Sequence, residues 1–410
     1  MKRKRNIFIA MIGIILLSAG CGTGKNLSSG NTEEGQNFKA EDSQMTGMET
    51  EQGAEEGSGA GAEGAGTVQN PASGLESERE SQPESESESE PEVTEITISA
   101  TGDVTLGINQ KTTYANSFDE YYDTRGADYF LQNVRRVFEA DDFTIVNLEG
   151  PLTNSDNIRT TKEWNHRGRP EYVSILTGSS VEAVSLGNNH IMDYQADGVA
   201  DTIQTVSDAG LAYALDGIWG NHLGWYETKG IQIGFVSVNE YYDGSGVYPY
   251  LEDGLAALRE QGADLVFACL HWGGDKVYEL EPEQYEMGKW CIDQGYDLVI
   301  GCHPHVIQGI ECYQGRYIVY SMGNFCYGGS KNPKDKDSMI FQQTFTFVDG
   351  QLQEETSIRV IPCRLSSVTD YNDYCPIILE GEEAENWVEH LNSYCAEFGL
   401  VFDSEGYLVY

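Results

Sequence analysis

Basic residues are scarce in this chain of 410: 25 Lys and Arg stand against 66 Asp and Glu, a formal net charge of -41. Nucleic-acid binding needs a basic face for the phosphates, so the composition argues against that class of partner. It argues equally against an unassisted polyanion site. If an anionic substrate is handled here, fixed cations must reverse the local sign, and metal ligands become the feature to look for. The nine cysteines include no Cys-x-x-Cys pair, which argues against a zinc ribbon. Large apolar residues are nearly missing from residues 22–92, and such a segment cannot offset its ordering entropy, so it is expected to be disordered. The apolar run at the N-terminus, Asn6 to Ala19, is short for a membrane span.

What is present at the N-terminus is an address. Four basic residues followed by that apolar run read as a signal peptide over residues 1–21. Leu17-Ser18-Ala19-Gly20-Cys21 resembles a bacterial lipoprotein lipobox with its leucine one place early, which makes Cys21 the expected lipid acceptor. The alternative is an ordinary transmembrane anchor with a chance cysteine. Either way the bulk of the chain is expected outside the cytoplasmic membrane and anchored to it. Residues 22–92 carry 17 acidic and 3 basic side chains, with a Glu-Ser alternation from Glu84 to Glu92, and read as an acidic Gly/Ser/Glu tether extended by its own charge. The remaining 318 residues hold 49 acids and 18 bases, net -31.

From Val93 onward, short apolar runs alternate with amphipathic stretches. Strands are predicted at Ile96–Thr101, Phe143–Leu148, Val184–Leu186, Ile231–Val238, Leu265–Leu270, Leu298–Ile300 and Tyr317–Ser321. Helices are predicted at Ala127–Ala140, Ala196–Ala209 and Pro282–Gln294. The alternation indicates an α/β domain. After Ser338 the pattern becomes strand-rich, and a helical stretch from Glu382 to Phe398 closes the chain.

Polar residues follow these strands in a shared placement: Gly102-Asp103, Asn147-Leu148-Glu149-Gly150, Gly187-Asn188-Asn189-His190, His271-Trp272-Gly273 and Gly301-Cys302-His303-Pro304-His305. In open α/β sheets the carboxyl ends of strands form the ligand crevice, so these segments are expected to converge. Four of the seven histidines lie in them. Taken singly, Asp103 reads as a turn or cap residue, Asn188 or Asn189 as a turn residue and His271 as a core histidine. His303 and His305, flanking a proline, fit neither a cap nor a core. Jointly the set offers mixed oxygen and nitrogen ligands, suited to Zn, Mn or Fe more than to Ca or Mg. Two such ions would clamp a phosphoryl group and acidify a bound water.

The ordered series Gly102-Asp103-Val104, Asn147-Leu148-Glu149-Gly150-Pro151-Leu152-Thr153, Asn188-Asn189-His190, His271-Trp272-Gly273, His303-Pro304-His305 and Tyr320-Ser321-Met322-Gly323-Asn324-Phe325 resembles the capsule-synthesis CapA family, associated with poly-γ-glutamate. The resemblance spans about residues 94–365, giving an expected CapA-like domain at 93–365 and a C-terminal extension, 366–410, packed on it. That family is in turn similar to calcineurin-like metallophosphoesterases, so the fold implied is a double β-sandwich flanked by helices, with a two-metal site at the strand ends. The resemblance implies Asp103 and His305 on one metal, Glu149 as the bridging carboxylate, and Asn189, His271 and His303 on the other. It implies that His190 stays off the metals and serves the leaving group, with Asp193 three residues on to orient it. Two departures stand out. Thr105 occupies the place of a usual ligand histidine, and the bridge is a glutamate, not an aspartate.

The eight cysteines after residue 93 permit 105 disulfide pairings or none, and Cys269 and Cys302, on predicted core strands, read also as buried thiols. His166, Arg167 and Arg169 form a compact basic cluster in the acidic body, with Lys162 close by. They read as a rim that meets an anionic substrate, or as a surface loop with local ion pairs. The expected function is capsule-polymer synthesis, export or attachment with a phosphoesterase-type site, its partners the polymer, the membrane and synthase membrane subunits. The alternative is a metal-stabilised scaffold that turns nothing over.

Overall fold

Alternation of apolar side chains in one long strand sets the architecture. The computed structural model describes residues 90–111, 114–216, 222–240 and 246–409. The signal segment, Cys21, the tether as far as residue 89 and Trp219 lie outside these residues. The opening strand, Val93–Thr105, turns Ile96, Ile98 and Ala100 towards a second sheet. It sits inside the first sheet, whose order is Ile377–Ile378, Ser357–Arg364, Asp337–Val348, Val93–Thr105, Phe143–Leu148, Ala183–Ser185 and Ala212–Ala214. Asn324–Tyr327 pairs with the carboxyl end of the opening strand, Asn324 opposite Asp103. The second sheet runs Ile310–Tyr313, Arg316–Val319, Leu298–Cys302, Leu265–His271, Ile231–Asn239 and Gly224–Thr228.

The two sheets face each other over an aromatic core. The Phe143 ring lies 6.2 Å from Phe235 and 6.4 Å from Phe267, and Phe267 stacks on Phe345 at 5.9 Å. Truncating one of these to alanine would cost about 3–5 kcal/mol. Residues of opposite parity serve the outer faces. Val146, Leu148, Val184 and Leu186 meet Phe118, Phe130, Tyr172 and the helix Gln195–Asp208. Val236, Val238, Val266 and Leu270 meet the helices Val247–Glu260 and Pro282–Gln294. The result is helix, sheet, sheet, helix, the double β-sandwich flanked by helices that the resemblance implied.

The last 45 residues belong to the same body. The helix Glu382–Cys395 buries Ala384, Trp387, Val388, Leu391 and Cys395, one helical face, in the inter-sheet core. Three acids in its first turn suit the positive end of its dipole. Among the described residues no helix is long and apolar enough to cross a membrane. The eight cysteines among the described residues are free thiols, and seven of them are buried.

One predicted helix is not continuous. Ala127–Ala140 folds as a 3-10 turn at Ala127–Tyr129 and a single α-turn at Arg135–Phe138. Several of its amides bond three residues back, Phe130 to Ala127 and Val134 to Leu131 among them, and this tighter winding sinks Phe130, Leu131, Val134 and Phe138 together. The helix Val247–Glu260 had no sequence signal because Pro249 interrupts the pattern. It falls in the first turn, where its missing N–H is not needed.

Candidate metal centre

Strand parity delivers the polar side chains to the mouth of the sandwich. On Leu265–His271, Leu265, Phe267 and Cys269 enter the inter-sheet core, and His271 is the next residue of that row. Asn147 likewise continues the row of Phe143 and Ile145. On the opening strand a register shift between Thr101 and Asp103 changes the parity, so Asp103 and Thr105 face the site. Gly102 permits the shift: a Cβ there would stand 1.9 Å from the Gly323 carbonyl oxygen, which accepts from the Asp103 amide at 2.9 Å.

Glu149, 1 % exposed, lies at the centre. Thr105 Oγ1 donates to its Oε2 at 2.8 Å. Its Oε1 has no hydrogen-bond partner and faces His305 Nε2 at 3.6 Å, His271 Nε2 at 3.8 Å and His190 Nε2 at 4.0 Å. Two donor groups share this carboxylate: Glu149 with His271 and His303, and Glu149 with Asp103 and His305, the donor atoms of each lying within 4.8 Å of one another. Asp103 is fixed by Asn147 Nδ2 on Oδ1 (2.7 Å) and by the His303 amide on Oδ2 (3.3 Å), and His305 Nδ1 stands 3.0 Å from Oδ2. His303 and His305 both adopt positive φ, 101° and 58°, a strained backbone for side-chain-bearing residues that turns both rings inward around Pro304.

The electrostatics suit a cation at this point. Burial pushes the Glu149 carboxyl up to about 7, with Asp103 adding to the rise and His305 opposing it. Burial holds His271 well below the usual imidazole value, and takes His303 down to about 4. His305 goes the other way: burial is the largest influence and lowers it, but Glu149 and Asp103 together outweigh burial and raise it to about 9. Buried polar atoms normally have partners, and Glu149 Oε1 and His271 Nε2 have none. A divalent ion would satisfy both, and the carboxylate–imidazole set suits Zn, Mn or Fe.

Beside this centre stands a second polar group. His190 Nδ1 lies 2.5 Å from Asp193 Oδ2, and Lys162 Nζ donates to Asp193 Oδ1 at 2.9 Å and to the Asn189 carbonyl at 2.8 Å. The His166 amide also donates to Asp193, at 2.6 Å, and its ring lies 4.3 Å from that of His190. Burial, with Lys162 next, keeps His190 well below its ordinary value. Asn189, His190, His303 and His305 line one cleft of about 610 Å³, with Trp164 and Lys162 on its wall.

The eight residues expected at the metals and the leaving group thus meet in one region. Arg167 and Arg169 do not line the cleft. Arg167 bonds Ser155 O and Asp156 and lies over the Tyr194 ring, while Arg169 bonds Asp123 and Tyr172. Local ion pairing consumes both guanidinium groups, and Lys162 is the neighbouring cation that reaches the site. Sequence reasoning gave no role to Lys162, or to Asn147 as the Asp103 anchor. Asn147 was signalled by its place in the Asn-Leu-Glu motif, whereas Lys162 had no signal beyond proximity to the Arg167 cluster.

A family model described as bacterial capsule synthesis protein PGA_cap matches residues 97–328. The chain belongs to that family. Curated relatives include the PGA biosynthesis protein CapA of Bacillus subtilis (strain 168), 27 % identical over 60 % of this chain and 67 % of that one. The capsule biosynthesis protein CapA of Bacillus anthracis is 24 % identical over 60 % of this chain and 63 % of its own length, so this chain spans about two thirds of these relatives. A probable polyglutamine synthesis accessory protein of Mycobacterium tuberculosis is 25 % identical over 55 % of this chain and 67 % of its own. Among solved structures, the calcineurin-like phosphoesterase YfkN of Bacillus subtilis is similar at 15 % identity with a TM-score of 0.42, covering 74 % of this chain and 98 % of that one. In this PGA_cap protein all the motif residues gathered around Glu149 fall inside the matched span.

Proposed function

We propose that this PGA_cap protein is a divalent-metal-dependent hydrolase of the phosphoesterase type, tethered outside the cytoplasmic membrane through lipidated Cys21. It acts in synthesis, export or attachment of an anionic polymer of the poly-γ-glutamate kind, alongside the membrane subunits of the synthase. One observation carries the reading: a buried carboxylate, Glu149, shared by two groups of metal-type donors. Asp103 and His305 would hold one ion, Asn189, His271 and His303 the other, with Glu149 between them. When bound, two such ions supply Lewis acidity to a phosphoryl or related acyl centre and acidify water. The chain's own residues do the rest. Asp193 fixes the His190 ring through Nδ1 and leaves the unprotonated Nε2 towards Glu149, placed to take a proton from the attacking water and then pass it to a leaving group. Lys162 holds Asp193 from its other oxygen. The names of the relatives support the polymer.

A second reading, a metal-stabilised scaffold without turnover, is favoured by one feature, the hydroxyl of Thr105 where a ligand imidazole is usual. Elemental analysis of the full chain supplied with Mn or Zn, with phosphodiester turnover on the same samples and on His303→Ala, separates the two. Metal with turnover, both reduced in the variant, supports the hydrolase. Metal without turnover supports the scaffold, and no metal defeats both.

A further inference from the structure

The metal-centre cleft does not end at the histidines. Tyr278, Asn332, Pro333, Lys334 and Asp335 line both that cleft and an adjoining cavity of about 530 Å³, so the two form one continuous depression. Its charge is reversed relative to the protein. From Val93 on the chain has 18 basic and 49 acidic residues, yet five of the bases (Lys162, Lys276, Lys334, Lys336, Arg364) line the joined cavities against three acids.

All three acids are occupied. Asp335 accepts from the Tyr278 hydroxyl at 2.6 Å and from the Asp337 amide at 2.9 Å, Asp275 pairs with Lys276 at 2.9 Å, and Asp337 pairs with His390 at 3.2 Å. Among the bases, Lys162 is held by Asp193, Lys336 donates to the Thr369 and Tyr371 carbonyls, and Arg364 leans on Glu383. Among the described residues, Lys334 alone of the five has no hydrogen bond or ion pair. It is nevertheless held in place. Pro333 precedes it, and its loop is fastened by Asn332 to the Asp370 carbonyl and by Asn372 to those of Tyr327 and Ser330.

A small phosphoester at the histidines would occupy only part of the first cleft and leave the second cavity unused. We infer that the joined cavities form a track for an extended polycarboxylate chain, with Lys334 binding a carboxylate at the junction while the chain's reacting end lies at the metal centre. Lys336 and Arg364 supply the positive field beyond it. The inference deepens the polymer reading above and rests on it for the site of reaction.

Binding of a long γ-glutamyl chain and of a γ-glutamyl dipeptide to the full-length protein tests the track. Lys334→Glu should weaken the long chain about five- to tenfold, an effect that shrinks at high salt, and Lys334→Gln by less. The dipeptide should be little affected. Lys229→Glu, at the opposite strand end, makes the same change of net charge and should leave chain binding as it is. Equal chain affinity in wild type and Lys334→Glu, or an equal loss in Lys229→Glu, overturns the track. Metal content measured on the same samples keeps the two readings apart. Lys334-dependent binding without metal defeats the hydrolase alone, and metal with Lys334-independent binding defeats the track alone.

Discussion

The Thr105 hydroxyl donates to Glu149 Oε2 across 2.8 Å, at the strand position where a ligand histidine was expected. The threonine supplies no nitrogen to a metal, yet it fixes the carboxylate so that Oε1 faces three imidazoles. Hydrogen bonds that orient a ligand are worth about 10–100-fold in metal affinity. Thr105→Val should therefore weaken metal binding by about tenfold or more, and Thr105→Ser should restore it, as read by metal titration. Equal affinity in all three proteins would remove Thr105 from the site.

Glu149 is buried in an environment that disfavours its charge, so its presence opposes folding while serving binding. Glu149→Gln should lower metal affinity by about 100-fold or more. The unfolding midpoint of the metal-free protein should stay level or rise. A metal-free variant that unfolds markedly earlier would make Glu149 a structural residue.

Metal binding must also displace protons. Without metal, the Glu149 carboxyl is raised to about 7 and His305 to about 9, so below 7 both groups hold protons that a cation has to expel. Affinity should rise with pH, by up to about a hundredfold per unit below 7, about tenfold per unit between 7 and 9, and little above. Calorimetric titration in buffers of different ionisation enthalpy reads the released protons directly. A pH-independent affinity between 6 and 9 would contradict the assignment of this pair.

Asp193 holds His190 through Nδ1. Asp193→Asn turns an amide N–H towards that nitrogen and favours the other tautomer, so kcat should fall about 100-fold or more with metal content unchanged. A kcat within about threefold of wild type would show that His190 needs no such partner.

The strand ends were legible because polar motif residues interrupt apolar runs at the point where those runs leave the core. Phe143–Leu148 and Pro282–Gln294 were readable to the residue, the first from its unbroken apolar run and the second from Pro282 at its start and Gly295 after its end. The side to which Asp103 points was not readable, since it depends on a bulge set by the approach of Gly323, far along the chain, to Gly102. Lys162 was not either, because its role exists only once Asp193, 31 residues on, folds back against it. For Arg167 and Arg169 the sequence left two readings open, and the ion pairs with Asp156 and Asp123 match the surface loop with local pairing, since a sequence shows a cluster of cations but not the acids that fold against it.

Diffraction from crystals soaked in Mn or Zn, with anomalous data at the metal's absorption edge, tests the shared-carboxylate centre most directly. Two peaks are expected, one between Glu149, Asp103 and His305 and the other between Glu149, His271 and His303. A single peak that avoids Glu149, or none at saturating metal, would contradict it.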